Sequence, residues 1–179
     1  MNDTLKILVL STSLNPDSKS RNIAKAIRAS LKESGAHVDW VDLQEHPLPF
    51  CDGKDASQDP VALDLRKRVA EADGVVMAAP VYNYDLNAAA KNFVELTGRA
   101  WTGKVVALAV AAGGQRSGMS PLGMMNSLML DFRCIVLPRF VYHSRGSYTD
   151  TGLPNADSIV RIQELSRELV RVSRALKTS

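Results

Sequence analysis

The sequence predicts an α/β fold in which helices cover both faces of a parallel β-sheet, and two observations carry this prediction. First, the 179-residue chain contains five short, nearly continuous apolar segments, which is typical of strands buried on both faces. Second, these segments alternate with stretches in which apolar residues recur every three or four positions, as in amphipathic helices. This alternation indicates consecutive β-α-β units and therefore a parallel sheet.

The predicted strands share a run of aliphatic residues that ends at a polar or turn-forming residue. They cover residues 5–10, 37–43, 75–79, 104–111 and 134–137. Pro80 is expected to end the third strand, because proline has no N–H group to give to the sheet. The Gly113-Gly114 pair follows the fourth strand and predicts a turn there.

The predicted helices are recognised by their apolar stripes and by the residues at their ends. Residues 21–34 have isoleucine or leucine at spacings of four, and Gly35 follows in the position of a helix-ending glycine. Asp59-Pro60 is an N-cap followed by a first-turn proline, and it begins the second helix. Further helices are predicted over 88–97, from Ser120-Pro121 onward and over 159–176, whereas 44–58 and 139–154 are predicted to be irregular.

Five parallel strands fit a flavodoxin-like three-layer sandwich with the sheet order 2-1-3-4-5, in which right-handed crossovers place helices on both faces. The chain is predicted to be a single domain over residues 1–179, because domains of ~150 residues are typical. In this fold, ligands bind at the carboxyl ends of the strands, beside the point where the strand order reverses. The loops after the first, third and fourth strands are therefore the candidate binding loops.

Composition argues against several classes of function. The 22 Lys and Arg residues against 19 Asp and Glu residues give a net charge of +3, which is too small to indicate nucleic-acid binding. No apolar stretch approaches the ~20 residues of a membrane span, and no basic leader is present, so we expect a cytoplasmic protein without a membrane partner. Two cysteines, Cys51 and Cys134, do not support a disulfide framework.

The first candidate loop, residues 11–22, contains four serines and one threonine and runs into a predicted helix start. A helix start presents free N–H groups and a partial positive charge, and both attract anions. The hydroxyls at 11, 13, 18 and 20 can donate to phosphate oxygens, although neither the dinucleotide fingerprint nor the Walker motif is present. The loop is therefore predicted to bind phosphate; the alternative is that it only caps the helix.

The other two candidate loops offer flat and close-fitting surfaces. Residues 80–87 contain Tyr82 and Tyr84 with Asn83 between them. The rings and amides could line a planar ligand. The alternative is that the rings pack over the end of the sheet. Residues 111–118 contain three glycines and Arg116, which suit close approach of the backbone to a ligand or, alternatively, a flexible turn. A phosphate site beside an aromatic wall and a glycine-rich wall fits flavin mononucleotide (FMN).

The three loops resemble the motifs of the NAD(P)H-dependent FMN reductase family, which has a flavodoxin-like fold. The segment STSLNPDSKS (11–20) is similar to the family's G-S-x-R-x-x-S-x-N. The segment PVYNYD (80–85) is similar to its P-E-Y-N-Y-S, and AGGQRSG (112–118) to its S-x-G-G loop. The resemblance covers roughly residues 5–138, which is most of the chain.

This resemblance implies a cofactor, a set of site residues and an assembly. The chain would bind FMN, use NADPH or NADH, and form a homodimer or a dimer of dimers, for which the helix at 88–97 is a candidate surface. The cofactor-binding residues that it implies are Ser11, Ser13, Asn15, Ser18, Ser20, Arg21, Pro80, Val81, Tyr82, Asn83, Tyr84, Ala112, Gly113, Gly114, Gln115 and Arg116. Asn15 and Val81 stand where the family often has Arg and Glu. The loss of the Arg weakens charge pairing with the phosphate, although Lys19 or Arg21 could substitute for it.

The first hypothesis for function is an FMN-dependent NAD(P)H oxidoreductase, which takes hydride from NAD(P)H onto bound flavin and then reduces a second acceptor. Free flavin, a quinone, an azo or nitro compound and a metal oxyanion all stay open as that acceptor, as do the choice of NADPH or NADH and whether FMN is held permanently. No catalytic or metal-binding residue is assigned, because the flavin carries the chemistry.

Two other hypotheses are a flavodoxin-like electron carrier without catalytic activity and a nucleotide-binding domain without flavin. Carriers of this fold usually present an acidic face to their partners, and a net charge of +3 with an isoelectric point near 8.9 argues against that.

Overall fold

The computed structural model describes residues 4–177, which form seven strands and five α-helices. The strands are β1 Lys6–Ser11, β2 His37–Asp42, β3 Gly74–Tyr82, β4 Asp85–Leu86, β5 Val105–Ala111, β6 Ile135–Val136 and β7 Val141–His143. The helices are α1 Lys19–Glu33, α2 Pro60–Glu71, α3 Ala88–Thr97, α4 Leu122–Phe132 and α5 Ala156–Lys177.

The main sheet has the order β2-β1-β3-β5-β6, and every pair of neighbours in it is parallel. Strand β7 also pairs in parallel with β5, beyond the point where β6 stops, so β6 and β7 share the fifth position. The predicted flavodoxin-like α/β class and the order 2-1-3-4-5 are therefore confirmed. The reversal of strand order lies between β1 and β3, beside the predicted binding loops.

The sheet differs from the prediction in detail, because it contains two additional strands. The fifth strand is interrupted at residues 137–140, where Pro138 has no N–H group, and it resumes as β7 inside the segment predicted to be irregular. Strand β4 is antiparallel to the end of β3 and makes a hairpin with it. Pro80 does not end β3: its nitrogen faces the side of β1, and β1 has already ended at Ser11, so no hydrogen bond is lost.

Alternate residues of the central strands face two separate hydrophobic layers. Leu8 and Leu10 of β1 pack in the layer that includes α2, α3 and α4, whereas Ile7 and Val9 pack in the layer of α1 and α5. Burial on both faces is why these strands are continuous apolar runs in the sequence.

The predicted N-cap residues differ in whether their side chains cap a helix in the structure. The Asp59 carboxylate accepts hydrogen bonds from two N–H groups of the first turn of α2, at 2.9 and 3.2 Å, as predicted. Helix α1 begins two residues before its predicted start, because Ser18 is its N-cap. Ser120 does not cap α4, which begins at Leu122. No helix within residues 4–177 is both long enough and apolar enough to cross a membrane.

His143, the last residue of β7, is a fully buried ionisable group in the core. Its ring lies edge-on to the ring of Tyr148, with 5.7 Å between the ring centroids, and neither ring nitrogen has a hydrogen-bond partner. Burial, with a smaller effect of the nearby Arg161 charge, lowers the pKa of His143 from 6.5 to about 4. The imidazole is therefore neutral in the folded protein at pH 7.

We predict that His143 makes the fold sensitive to mild acid. Between pH 6.5 and pH 4, the unfolded chain binds a proton at this histidine and the folded chain does not, so stability is complete above about pH 6.5 and falls as the pH drops. The loss should reach roughly 3 kcal/mol near pH 4. Urea unfolding across this range measures it, and His143→Phe should remove most of the pH dependence.

His37 provides the matched control for this experiment, because it is exposed on β2. The variant His37→Gln should lose stability on acidification as the wild type does. An equal loss in His143→Phe would contradict the assignment to His143.

Candidate functional site

The carboxyl ends of β1, β3 and β5 lead into the three predicted binding loops. Because β1 and β3 are neighbours, with Ser11 opposite Ala78, the first two loops leave the sheet side by side. Strand β5 lies on the other side of β3, with Ala111 opposite Pro80, so the glycine loop flanks the tyrosine loop. The structure therefore brings all three predicted loops to one edge of the sheet.

Arg21 shapes the first loop from inside the protein. Its Nε donates to an Asp42 carboxylate oxygen, and Nη2 donates to the other oxygen at 3.2 Å. Nη1 donates to the carbonyls of Asn15 (2.7 Å) and Pro16 (3.1 Å), and Nη2 also donates to the carbonyl of Ser13 (2.9 Å). These contacts use every N–H group of the guanidinium.

Arg21 therefore does not offer donors to a ligand in this structure, in contrast to the expectation that it would bind phosphate. Its side chain and that of Asp42 are only 8% and 4% exposed. The physical reason is the position of Asp42 at the end of β2, which places a carboxylate behind the loop. The guanidinium draws three loop carbonyls, those of Ser13, Asn15 and Pro16, toward itself.

The serine hydroxyls of the loop gather around the N-terminus of α1. The Ser18 Oγ accepts a hydrogen bond from the backbone N–H of Arg21 (3.1 Å) and lies 2.9 Å from the Ser20 Oγ. The Ser13 Oγ accepts a weaker bond from the N–H of Asn15 at 3.3 Å. The Ser11 Oγ is buried and has no hydrogen-bond partner. Hydroxyl groups and a helix N-terminus together form a donor set that suits a phosphate group.

The second loop is a tight hairpin that displays its tyrosines. Tyr82 pairs with Asp85 across the turn, and the two residues between them, Asn83 and Tyr84, have φ angles of 50° and 67°. Positive φ at both central residues is the geometry of a type I′ turn, which is unusual for tyrosine. Tyr82 and Tyr84 are 54% and 55% exposed, so they do not pack over the sheet end and their rings are free to contact a ligand.

A buried pair of hydrogen bonds ties the first two loops together. The Asn87 Nδ2 donates to the backbone carbonyl of Thr12 at 2.7 Å, and the Thr12 Oγ1 donates to the Asn87 Oδ1 at 2.7 Å. Asn87 also stands at the N-cap position of α3, but its side chain makes no capping bond there. No local pattern reveals this bridge, because its two residues lie 75 positions apart.

The glycine loop is held from behind by β7. The hydroxyl of Tyr142 donates to the carbonyl of Gly114 at 2.5 Å, and the N–H of Ala112 donates to the carbonyl of His143 at 2.8 Å. Gly113, Gly114, Gln115 and Arg116 are exposed. Sequence reasoning missed the role of Tyr142, because it lies in the segment that was predicted to be irregular.

Other reactive groups lie outside this arrangement. Burial raises the pKa of the Cys134 thiol to about 11, and its Sγ donates to the carbonyl of Trp101. His46 bonds through Nδ1 to the carbonyl of Asp42. Within residues 4–177, no group of three or more His, Cys, Asp or Glu side chains is placed to hold a metal ion.

Comparison with known proteins gives one family and several relatives. Residues 5–147 match the model of a family described as NADPH-dependent FMN reductase. An NAD(P)H:quinone oxidoreductase from Solanum tuberosum is 28% identical over 97% of this chain and 91% of its own length. An NADPH azoreductase from Bacillus sp. is 26% identical over 92% of this chain and 90% of its own length.

Among solved structures, a flavoenzyme NAD(P)H:(acceptor) oxidoreductase from Paracoccus denitrificans has a similar fold. Its TM-score is 0.79 at 18% sequence identity, and the alignment covers 96% of this chain and 98% of the other. This likeness supports the fold that the sheet order shows.

We predict that Asp42→Asn destabilises the protein strongly, because it leaves the Arg21 guanidinium buried without its counter-charge. The expected loss of unfolding free energy is about 3 kcal/mol or more. Urea unfolding at pH 7 measures it. The matched control is Asp39→Asn, which breaks the more exposed pair with Arg68 and should cost less than about 1 kcal/mol. Equal losses in the two variants would contradict a special role for the Arg21 pair.

Proposed function

The chain belongs to the NADPH-dependent FMN reductase family, and on this premise we propose that it is an FMN-dependent oxidoreductase that uses NAD(P)H to reduce a quinone. The observation that carries the proposal is the meeting of the serine loop and the exposed tyrosine hairpin at one edge of the sheet. The Solanum tuberosum relative, a quinone oxidoreductase, supports a quinone as the acceptor.

The donor set of the first loop fits the phosphate end of FMN. Ser13, Ser18 and Ser20 supply hydroxyls, and the first turn of α1 supplies N–H groups and a partial positive charge. The loop carbonyls, which would repel a phosphate, are turned toward Arg21. We propose that Asn15 acts by shaping the loop, since its Oδ1 accepts the N–H of Asp17 at 3.0 Å.

The other two loops fit the ring end of FMN. Pro80 and Val81 lead into the hairpin, whose tyrosine rings offer flat surfaces to the isoalloxazine ring. The segment from the half-buried Ala112 to Arg116, exposed from Gly113 onward, offers backbone groups on the opposite side. When bound, FMN supplies the hydride-accepting and electron-donating chemistry itself. The residues of this chain therefore bind and orient the cofactor, and none of them needs to act as an acid or a base.

We propose that the protein acts as a homodimer and that α4 contributes to the interface. The sequence suggested the helix at 88–97, but the apolar side chains of α3 are buried in the core. Helix α4 exposes three apolar side chains, with Leu130 82% exposed. The exposed apolar side chains of α4 are Leu122, Met129 and Leu130. Light scattering after size exclusion should give the mass of a dimer, and Leu130→Glu should give that of a monomer.

Purification and anaerobic reduction test the proposed activity. The protein purified with FMN, or titrated with it, should show a bound flavin spectrum that bleaches with NADPH or NADH and returns on addition of a quinone. Bound flavin that neither nucleotide reduces would contradict the enzyme and leave an electron carrier. A protein that does not bind FMN at all would contradict both functions.

A second prediction separates phosphate binding from helix capping at Ser18. In Ser18→Asp the carboxylate still caps α1, because Asp is as good an N-cap as Ser, but its charge repels a phosphate. We expect unchanged thermal stability without FMN and an FMN affinity lower by about tenfold or more.

The converse change at the cap of α2, Asp59→Ser, is the matched control, because that helix start lies outside the three loops. It should leave FMN affinity unchanged. If Ser18→Asp binds FMN as well as the wild type does, the serine loop is only a cap.

A further inference from the structure

The serine loop contains little positive charge for the group that it is proposed to bind. A phosphate monoester carries a charge of about −1.5 to −2 at pH 7. Among residues 11–20, Lys19 is the only cation, and Asp17 adds a negative charge. Asn15 is neutral, and Arg21 is committed to Asp42 and to the loop carbonyls. Any side-chain charge that this loop offers to a phosphate must therefore come from Lys19.

Lys19 is held by an aromatic ring. Its Nζ lies over the ring of Tyr148, 5.1 Å from the centroid, at the first position of α1. A ring attracts an ammonium group through its quadrupole and leaves the positive charge in place, whereas a carboxylate would neutralise that charge. Tyr148 therefore holds the Lys19 side chain in place without neutralising its charge.

Tyr148 is itself rigidly placed. Its hydroxyl is buried without a hydrogen-bond partner, and its ring packs against His143. Burial raises the pKa of Tyr148 well above its usual value, so the ring stays neutral. Tyr148 therefore interacts with its neighbours through its ring, because its hydroxyl makes no hydrogen bond.

Residues 144–155, which we name the strap, connect this tyrosine to both helices beneath the site. The Ser158 hydroxyl of α5 donates to the carbonyl of Ser147 at 2.9 Å. The Asn22 Nδ2 of α1 donates to the carbonyl of Gly152 at 3.1 Å. The strap is thus fastened to α5 on one side and to the first turns of α1 on the other.

We propose that Lys19 supplies the positive charge that binds the FMN phosphate, and that Tyr148 in the strap is its positioning residue. This inference rests on the proposed function, since it assigns a residue to the FMN site. It also gives the strap a role: the strap sets the direction of the cation at the start of α1.

The test compares FMN with riboflavin, which has the same ring and no phosphate. In Lys19→Met, the dissociation constant for FMN should rise about three- to tenfold, and that for riboflavin should not change. Raising the ionic strength should weaken FMN binding in the wild type and have less effect in the variant. Lys19→Arg keeps the charge and can stack on the same ring, so it should bind FMN nearly as the wild type does.

Two variants of Tyr148 test the positioning. Tyr148→Phe keeps the ring and should bind FMN normally, because the hydroxyl has no partner. Tyr148→Leu removes the ring and should weaken FMN binding without affecting riboflavin. If Tyr148→Leu does not fold, Asn22→Ala replaces it, since it frees the strap from α1 and leaves the core intact; FMN binding should again weaken selectively.

The outcomes separate the inference from the function. If the wild type binds FMN and Lys19→Met binds it equally well, the role of Lys19 is overturned and the oxidoreductase proposal stands. If Lys19→Met weakens FMN binding but Tyr148→Leu and Asn22→Ala do not, the positioning role of Tyr148 is overturned. If the wild type binds neither FMN nor riboflavin, the proposed function itself fails.

Discussion

The buried ion pair between Arg21 and Asp42 is the constraint on which the site depends. A guanidinium group taken out of water needs a counter-charge and a partner for each N–H group, and here two carboxylate oxygens and three loop carbonyls provide them. Satisfying Arg21 turns the carbonyl oxygens of Ser13, Asn15 and Pro16 toward the guanidinium. The pair thus shapes the loop that we propose to bind the FMN phosphate.

Two of the three loops are also held by hydrogen bonds from residues that lie outside them. Asn87 holds the first loop through Thr12, and Tyr142 holds the glycine loop through Gly114. The strap holds the beginning of α1. These hydrogen bonds stabilise the loops independently of the residues that we propose to contact FMN.

The sequence was sufficient for most features that depend on local pattern, although Pro80 does not end β3 and Ser120 does not cap α4. Continuous apolar runs predicted the central strands, Asp59-Pro60 predicted the start of α2, and the order of the elements predicted which three loops would meet. It was not sufficient where the partner is distant in the chain. The sequence around a cation in a serine-rich loop does not show whether its side chain contacts a phosphate or a carboxylate. For Arg21, the partner is known only from the position of Asp42 in the folded protein. Likewise, no residue near Pro138 indicates that the strand resumes three residues later, because the resumed strand is defined by its pairing with β5.

The positive φ angles of the tyrosine hairpin have a consequence for the thermodynamics of ligand association. A flexible loop that orders around a ligand loses backbone entropy of about 1–2 kcal/mol for each residue that becomes fixed. Asn83 and Tyr84 are already fixed by the turn and by the pairing of Tyr82 with Asp85, so this loss occurs when the chain folds. Only the torsions of two aromatic side chains are left to order. The strain of the turn destabilises the free protein. In exchange, the hairpin presents a surface that can bind a planar ring with little further loss of conformational entropy.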